Sequence, residues 1–182
     1  MPDTPSDDEI LAFLDQELTA RIPVSRADIP AFLAALKTLP PGLRSMAAVY
    51  ELDVSMALDD LVWHFRNWYD RELAEETSRG LHILGATVPA RLFDAAYGLV
   101  SAKWDDFGRA AEGSHEQFND WCDRVGLTNA ADSLNAEFWA DNDSHRPHGL
   151  FHYWVQYARA HMDEMAYGPT KPRRPPKARP SK

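Results

Sequence analysis

Apolar residues recur along this chain at steps of three and four. The longest series is Leu43, Ala47, Tyr50, Val54, Leu58, Leu61, Phe65 and Trp68. That spacing is one face of a helix turned towards a core. It predicts an element from about Leu43 to Trp68, roughly 40 Å long at 1.5 Å per residue. Val54 and Ser55 are weaker helix formers than their neighbours, so a kink or split is expected near Ser55 to Leu58.

The rest of the chain follows the same period. Ser6 and Glu9 form a capping box that opens a helix to about Ala20, with Ile10, Phe13, Leu14 and Leu18 inward. A second helix follows Asp28, holds Pro30 in its first turn, carries Phe32, Leu33 and Leu36, and is stopped by Pro40-Pro41-Gly42. Arg71 to Leu84 places Leu73, Thr77, Leu81 and Leu84 on one side, with Gly85 as the C-cap. Pro89 lies in the first turn of a helix bearing Leu92, Phe93, Ala96, Leu99 and Val100. Ser114 with Gln117 is a second capping box, before Phe118, Trp121, Cys122 and Val125. Gly126 ends that helix, and Thr128 or Asn129 caps the next, with Leu134, Phe138 and Trp139 inward. ADNDSHRPHG reads as a polar loop. A last helix runs from about Pro147 to Tyr167 with Phe151, Trp154, Ala158, Met162 and Met165 inward, before Gly168-Pro169. No alternating strand pattern and no long repeat is present, so the fold class is all-α, one compact domain of about seven or eight helices.

Charge adds a second layer. The net charge of −9 hides an asymmetry: KPRRPPKARPSK, residues 171–182, holds six basic side chains and no acid, so residues 1–170 carry −15. The expected organisation is a disordered stretch 1–5, an acidic helical domain 6–168, and a disordered Pro/Lys/Arg-rich tail 169–182. Acids concentrate between Tyr50 and Ser78 and again between Asp105 and Asp143. Such zones repel nucleic acid and attract basic protein surfaces, so the body is not expected to bind nucleic acid directly. With Cys122 as the single cysteine, no intrachain disulfide can form, which points to a reducing compartment. The N-terminus lacks a basic region and an apolar core, and no apolar run matches a membrane span, so a cytoplasmic location without membrane contact is expected.

Few residues offer chemistry. There is no P-loop, no GxGxxG after a strand, no GxSxG and no CxxC. Cys122 falls on a core stripe, where a thiol is structural. His148 and His152, four apart, place two imidazoles on one helix face, and His145 with Asp141 or Asp143 could complete a metal set. Against this, the HExxH glutamate is missing, and a solvated histidine face explains the same spacing. Asp59-Asp60 and Asp105-Asp106 could act as acid–base pairs, though paired acids on amphipathic helices are ordinarily solvated. The six tryptophans sit at helical intervals and read as core. The residues therefore argue against an enzyme, and no cofactor is expected.

Leu52-Asp53, the aromatic Trp63-His64-Phe65 followed by Asn67, and then ELAEETSRGLHILGA before an Ala/Leu-rich helix resemble the bacterial DNA-mimic protein family over about residues 39–100. Where that family commonly has an Asn-Gly-Gly step, this chain reads Leu58-Asp59-Asp60. The resemblance implies an all-helical domain whose acidic surface imitates DNA phosphates and occupies the DNA-binding face of a transcription factor. Acids one helical turn apart stand about 6 Å from one another, a spacing able to meet side chains that read phosphates. The expected partner-binding face comprises Glu51, Asp53, Asp59, Asp60, Asp70, Glu72, Glu75, Glu76, Asp105 and Asp106. The expected partner is a basic protein such as a DNA-binding regulator or a toxin, with a homodimer also open. The alternatives are an immunity or antitoxin protein, and a metal-dependent hydrolase built on His148 and His152.

Overall fold

A computed structural model describes residues 4–162. Those residues form ten helices and no strand: α1 (Asp7–Arg21), α2 (Ile29–Leu36), α3 (Pro41–Leu58), α4 (Leu61–Asn67), α5 (Arg71–Ile83), α6 (Thr87–Ser101), α7 (Trp104–Ala111), α8 (His115–Arg124), α9 (Leu127–Ser144) and α10 (Phe151–Ala160). The all-α class holds, but with ten helices rather than seven or eight. The long central helix is cut in two, and α7 is an additional helix. α9 runs on through the ADNDS segment read as loop. Residues 169–182, the Gly168-Pro169 stop and Met165 lie outside the described residues.

Local chemistry sets most ends as expected. Both capping boxes form, Ser6 with Glu9 and Ser114 with Gln117. Asp28, Asp60 and Asp70 cap α2, α4 and α5 through side-chain bonds to backbone N–H groups. Gly85 and Gly126 take positive φ after α5 and α8. The next helix is opened by Gly126 rather than by Thr128 or Asn129; the Thr128 hydroxyl instead donates to Asp123 at 2.7 Å.

α3 and α5 run antiparallel in close contact at the centre, where Thr77 Oγ1 donates to the Ala48 carbonyl at 3.0 Å. Gly80 makes that approach possible, because a Cβ there would stand 2.9 Å from the Ser45 carbonyl oxygen and 3.0 Å from Val49 Cγ2. α6 packs on α9, α4 on α3, α6 and α9, and α10 on α1 and α3. The core includes Phe32, Phe65, Phe93, Phe107, Phe118 and Phe138, all buried.

The break between α3 and α4 organises the site. At Asp59 (φ −143°, ψ −139°) and Asp60 (φ −137°, ψ −178°) the backbone leaves the helical region for two residues and is extended at the second. Each cut end leaves orphan backbone groups. α9 satisfies one on each side with residues a turn apart. Asn135 Oδ1 accepts from Leu61 N at 3.1 Å, and Trp139 Nε1 donates to the Met56 carbonyl at 3.0 Å. This geometry corrects two expectations. Leu58, placed on the core stripe by its spacing, is 77% exposed at the tip of α3, and Trp139 is 42% exposed because it reaches over that tip.

Candidate interaction surface

The ten acids expected on the partner face have very different surroundings. Glu76 is buried on α5. Arg44 binds it bidentately through one guanidinium edge, Nε to Oε2 at 2.8 Å and Nη2 to Oε1, and Arg79 adds a further ion pair. Burial pushes its carboxyl up, but the bonds and charges of Arg44 and Arg79 outweigh that and hold it below the usual carboxylate range. Glu51 pairs with Arg26 at 3.1 Å, and the same guanidinium lies 3.8 Å from the Tyr50 ring centroid. Asp60 and Asp70 are caps. Asp53 is mostly buried, and burial lifts its carboxyl to about 6 against the opposing hydrogen bond from the Leu150 backbone.

The others face solvent. Glu72 pairs with Lys37, and Asp106 with Arg109; Asp59, Glu75 and Asp105 are exposed without an ion pair among the described residues. Asp105 and Asp106 open α7 beside the start of α5, since Tyr69 stacks on Trp104 at 4.4 Å and Arg71 lies over the same indole. Asp59 and Asp60 stand elsewhere, at the α3–α4 corner against α8 and α9. The ten acids thus divide into buried, paired or capping carboxylates and the exposed, unpaired Asp59, Glu75 and Asp105.

Further acids, outside that expected set, lie on α8 and α9. Glu116, Asp120 and Asp123 fall at i, i+4 and i+7 of α8, and Asp132 follows on α9; all four are exposed. The excess of acid between Asp105 and Asp143 was the sequence signal for them. Nine lysine and arginine side chains of the described residues are already tied to carboxylates. None of those ties reaches Glu116, Asp120, Asp123 or Asp132.

The histidines are engaged one by one. His145 and His152 stack with ring centroids 4.3 Å apart, 8° from parallel. His145 Nε2 meets the Tyr153 hydroxyl, whose other partner is Asp141; His152 Nε2 meets Gln156; His148 lies 3.8 Å from Asp8. Among the described residues, no group of three or more His, Cys, Asp or Glu is arranged to hold a metal ion. His64 is buried between α3 and α6 residues, and burial drives its imidazole down to about 3, so it is neutral. Ser55 donates its hydroxyl to the Glu51 carbonyl, so the Ser55 oxygen accepts from His64 Nδ1 at 3.0 Å. Cys122 is buried, and desolvation followed by the charges of Asp60 and Asp123 raises its thiol to about 11, which suits a structural role.

These features describe an all-helical protein with many exposed carboxylates among the described residues. A family model described as DMP19-like protein matches residues 37–161, and the chain belongs to that DNA-mimic family. The match runs from just after α2 through α10, well beyond the 39–100 of the sequence resemblance, and leaves α1 and α2 outside. No curated protein and no solved structure matches the chain. No helix among the described residues is long and apolar enough to cross a membrane.

Proposed function

We propose that this protein is a binding module whose carboxylates take the place of DNA phosphates on the basic surface of a DNA-binding protein. The observation that carries the reading is the line of Glu116, Asp120 and Asp123 along α8, continued by Asp132, with no ion pair to any of the four among the described residues. Residues one turn apart repeat about every 5–6 Å along a helix, and phosphates recur every 3.4 Å of axis on each DNA strand. The spacings differ, but flexible lysine and arginine side chains bridge the difference. The exposed Asp59, Glu75 and Asp105 extend the negative field, which steers a basic partner and sets a salt-dependent association rate. Family membership supports the same reading.

The test is capture of partners from the native lysate by the full chain at low salt, followed by elution with salt or duplex DNA. A basic protein that is retained, displaced by DNA, and lost by the Glu116→Lys/Asp120→Lys variant supports the proposal. Equal capture by that variant, verified as folded by circular dichroism, removes α8 from the interface. Failure to capture any DNA-displaceable protein sinks the reading.

A further inference from the structure

The α3–α4 break leaves a cleft between α4, α8 and α9 of about 290 Å³. Its walls include Val62, Trp63, Phe118 and Ala131, and its acidic groups are Asp60, Asp123 and Asp132. Among the described residues, no lysine, arginine or histidine lines it. The neighbouring cation, Arg66, sits 4.5 Å from the Trp63 ring centroid and donates to the Gly113 carbonyl. Two of the carboxylates are held in place by one oxygen each, Asp60 Oδ1 by Trp63 N at 2.9 Å and Asp123 Oδ1 by Thr128, which leaves their second oxygens for another donor.

A second observation is independent of the acids. Asn135 is 5% exposed and lines the same cleft. Its Oδ1 is used by Leu61, and its amide N–H₂ has no protein acceptor among the described residues. That N–H₂ is open to the cleft rather than sealed off from solvent, so it can donate to a group that enters there. At the same α3–α4 corner, Leu58 and Trp139 are exposed apolar side chains.

We propose that this cleft is the socket for one arginine side chain of the partner's phosphate-reading surface. The guanidinium is planar and always charged and carries five donors, which matches several carboxylates around an aromatic-walled slot better than a compact ammonium does. The Asn135 amide then meets a peptide carbonyl of the incoming segment, and Leu58 with Trp139 covers it from water, as the surroundings of a hot-spot residue do. This inference rests on the binding role proposed above and locates its anchor.

The test is a ¹H–¹⁵N NMR titration of the full chain with N-acetylarginine methylamide, using the neutral citrulline analogue as control. Saturable shifts at the Asn135 side-chain amide and the Trp63 indole N–H are expected. They should be absent with citrulline and at least several-fold weaker in Asp132→Asn, a surface change that leaves the fold intact. Shifts spread evenly over exposed acids such as Glu75 and Asp105, or equal binding of citrulline, overturn the socket. So does a change in the cleft signals on replacing Arg173, Arg174 and Arg179 by Gln without any probe, which assigns the slot to the chain's own C-terminal segment. If a basic partner is captured but Asp132→Asn binds it unchanged, the socket fails while the binding role stands. If the arginine probe seats but no basic partner is captured, the reverse holds.

Discussion

Asp53 and His64 are buried titratable groups with opposite consequences. Asp53 holds its proton up to about pH 6 in the folded protein, whereas an unfolded carboxyl releases it near pH 4. Folding is therefore favoured by this group at low pH, and that contribution is lost as pH rises through 6. His64 is neutral in the fold down to about pH 3, while the unfolded imidazole charges near 6.5. Its contribution is present above 6.5 and is lost as pH falls. The two slopes oppose each other between about pH 4 and 6. Asp53→Asn should thus be more stable than the parent by about 3 kcal/mol at neutral pH, with the gain vanishing near pH 4. Urea unfolding at the two pH values reads this directly, and a gain independent of pH refutes the assignment. Phe65, fully buried between Phe93 and Tyr97, should cost about 3–5 kcal/mol as Phe65→Ala. A loss under about 1 kcal/mol would mean the cavity collapses freely.

Among the elements, period and caps were legible, and tertiary decisions were not. Leu73, Thr77, Leu81 and Leu84 all point inward as their spacing requires. α7 escaped because eight residues give two turns, too few for a period to stand out. The central cut was foreseen as a weakness near Ser55 to Leu58. Its true place, at Asp59-Asp60, depends on Asn135 and Trp139, which no local pattern reveals. Glu76 looked like a surface acid for the same reason, because Arg44 lies 32 residues away. Charge counting found the acidic zones, but could not separate caps and buried ion pairs from free carboxylates. The clamp itself is testable. Asn135→Leu strands the Leu61 N–H and should cost about 1–3 kcal/mol, measured by thermal or urea unfolding. No loss would mean that water replaces the amide.

For the whole molecule, negative charge exceeds what the body's own cations neutralise. Self-repulsion opposes compaction, and salt screens it. Raising sodium chloride from about 0.02 to 0.5 M, which shortens the screening length to a few ångströms, should therefore raise the melting temperature of the free protein while weakening its complex. A melting temperature that falls with salt would show that the intramolecular pairs, such as Arg44 with Glu76, dominate instead. The opposed salt responses distinguish a surface shaped for an external cation from one balanced for stability alone.

The clamp on the α3–α4 corner joins residues 74 and 83 positions apart. On the ribosome, both halves of the central helix emerge long before α9 does, so the nascent chain lacks the groups that set the angle between them. The corner, and with it the anionic slot, comes into being late, when the C-terminal third docks. Refolding of Asn135→Leu should accordingly proceed at the parental rate, and the lost stability should appear as faster unfolding in stopped-flow measurements.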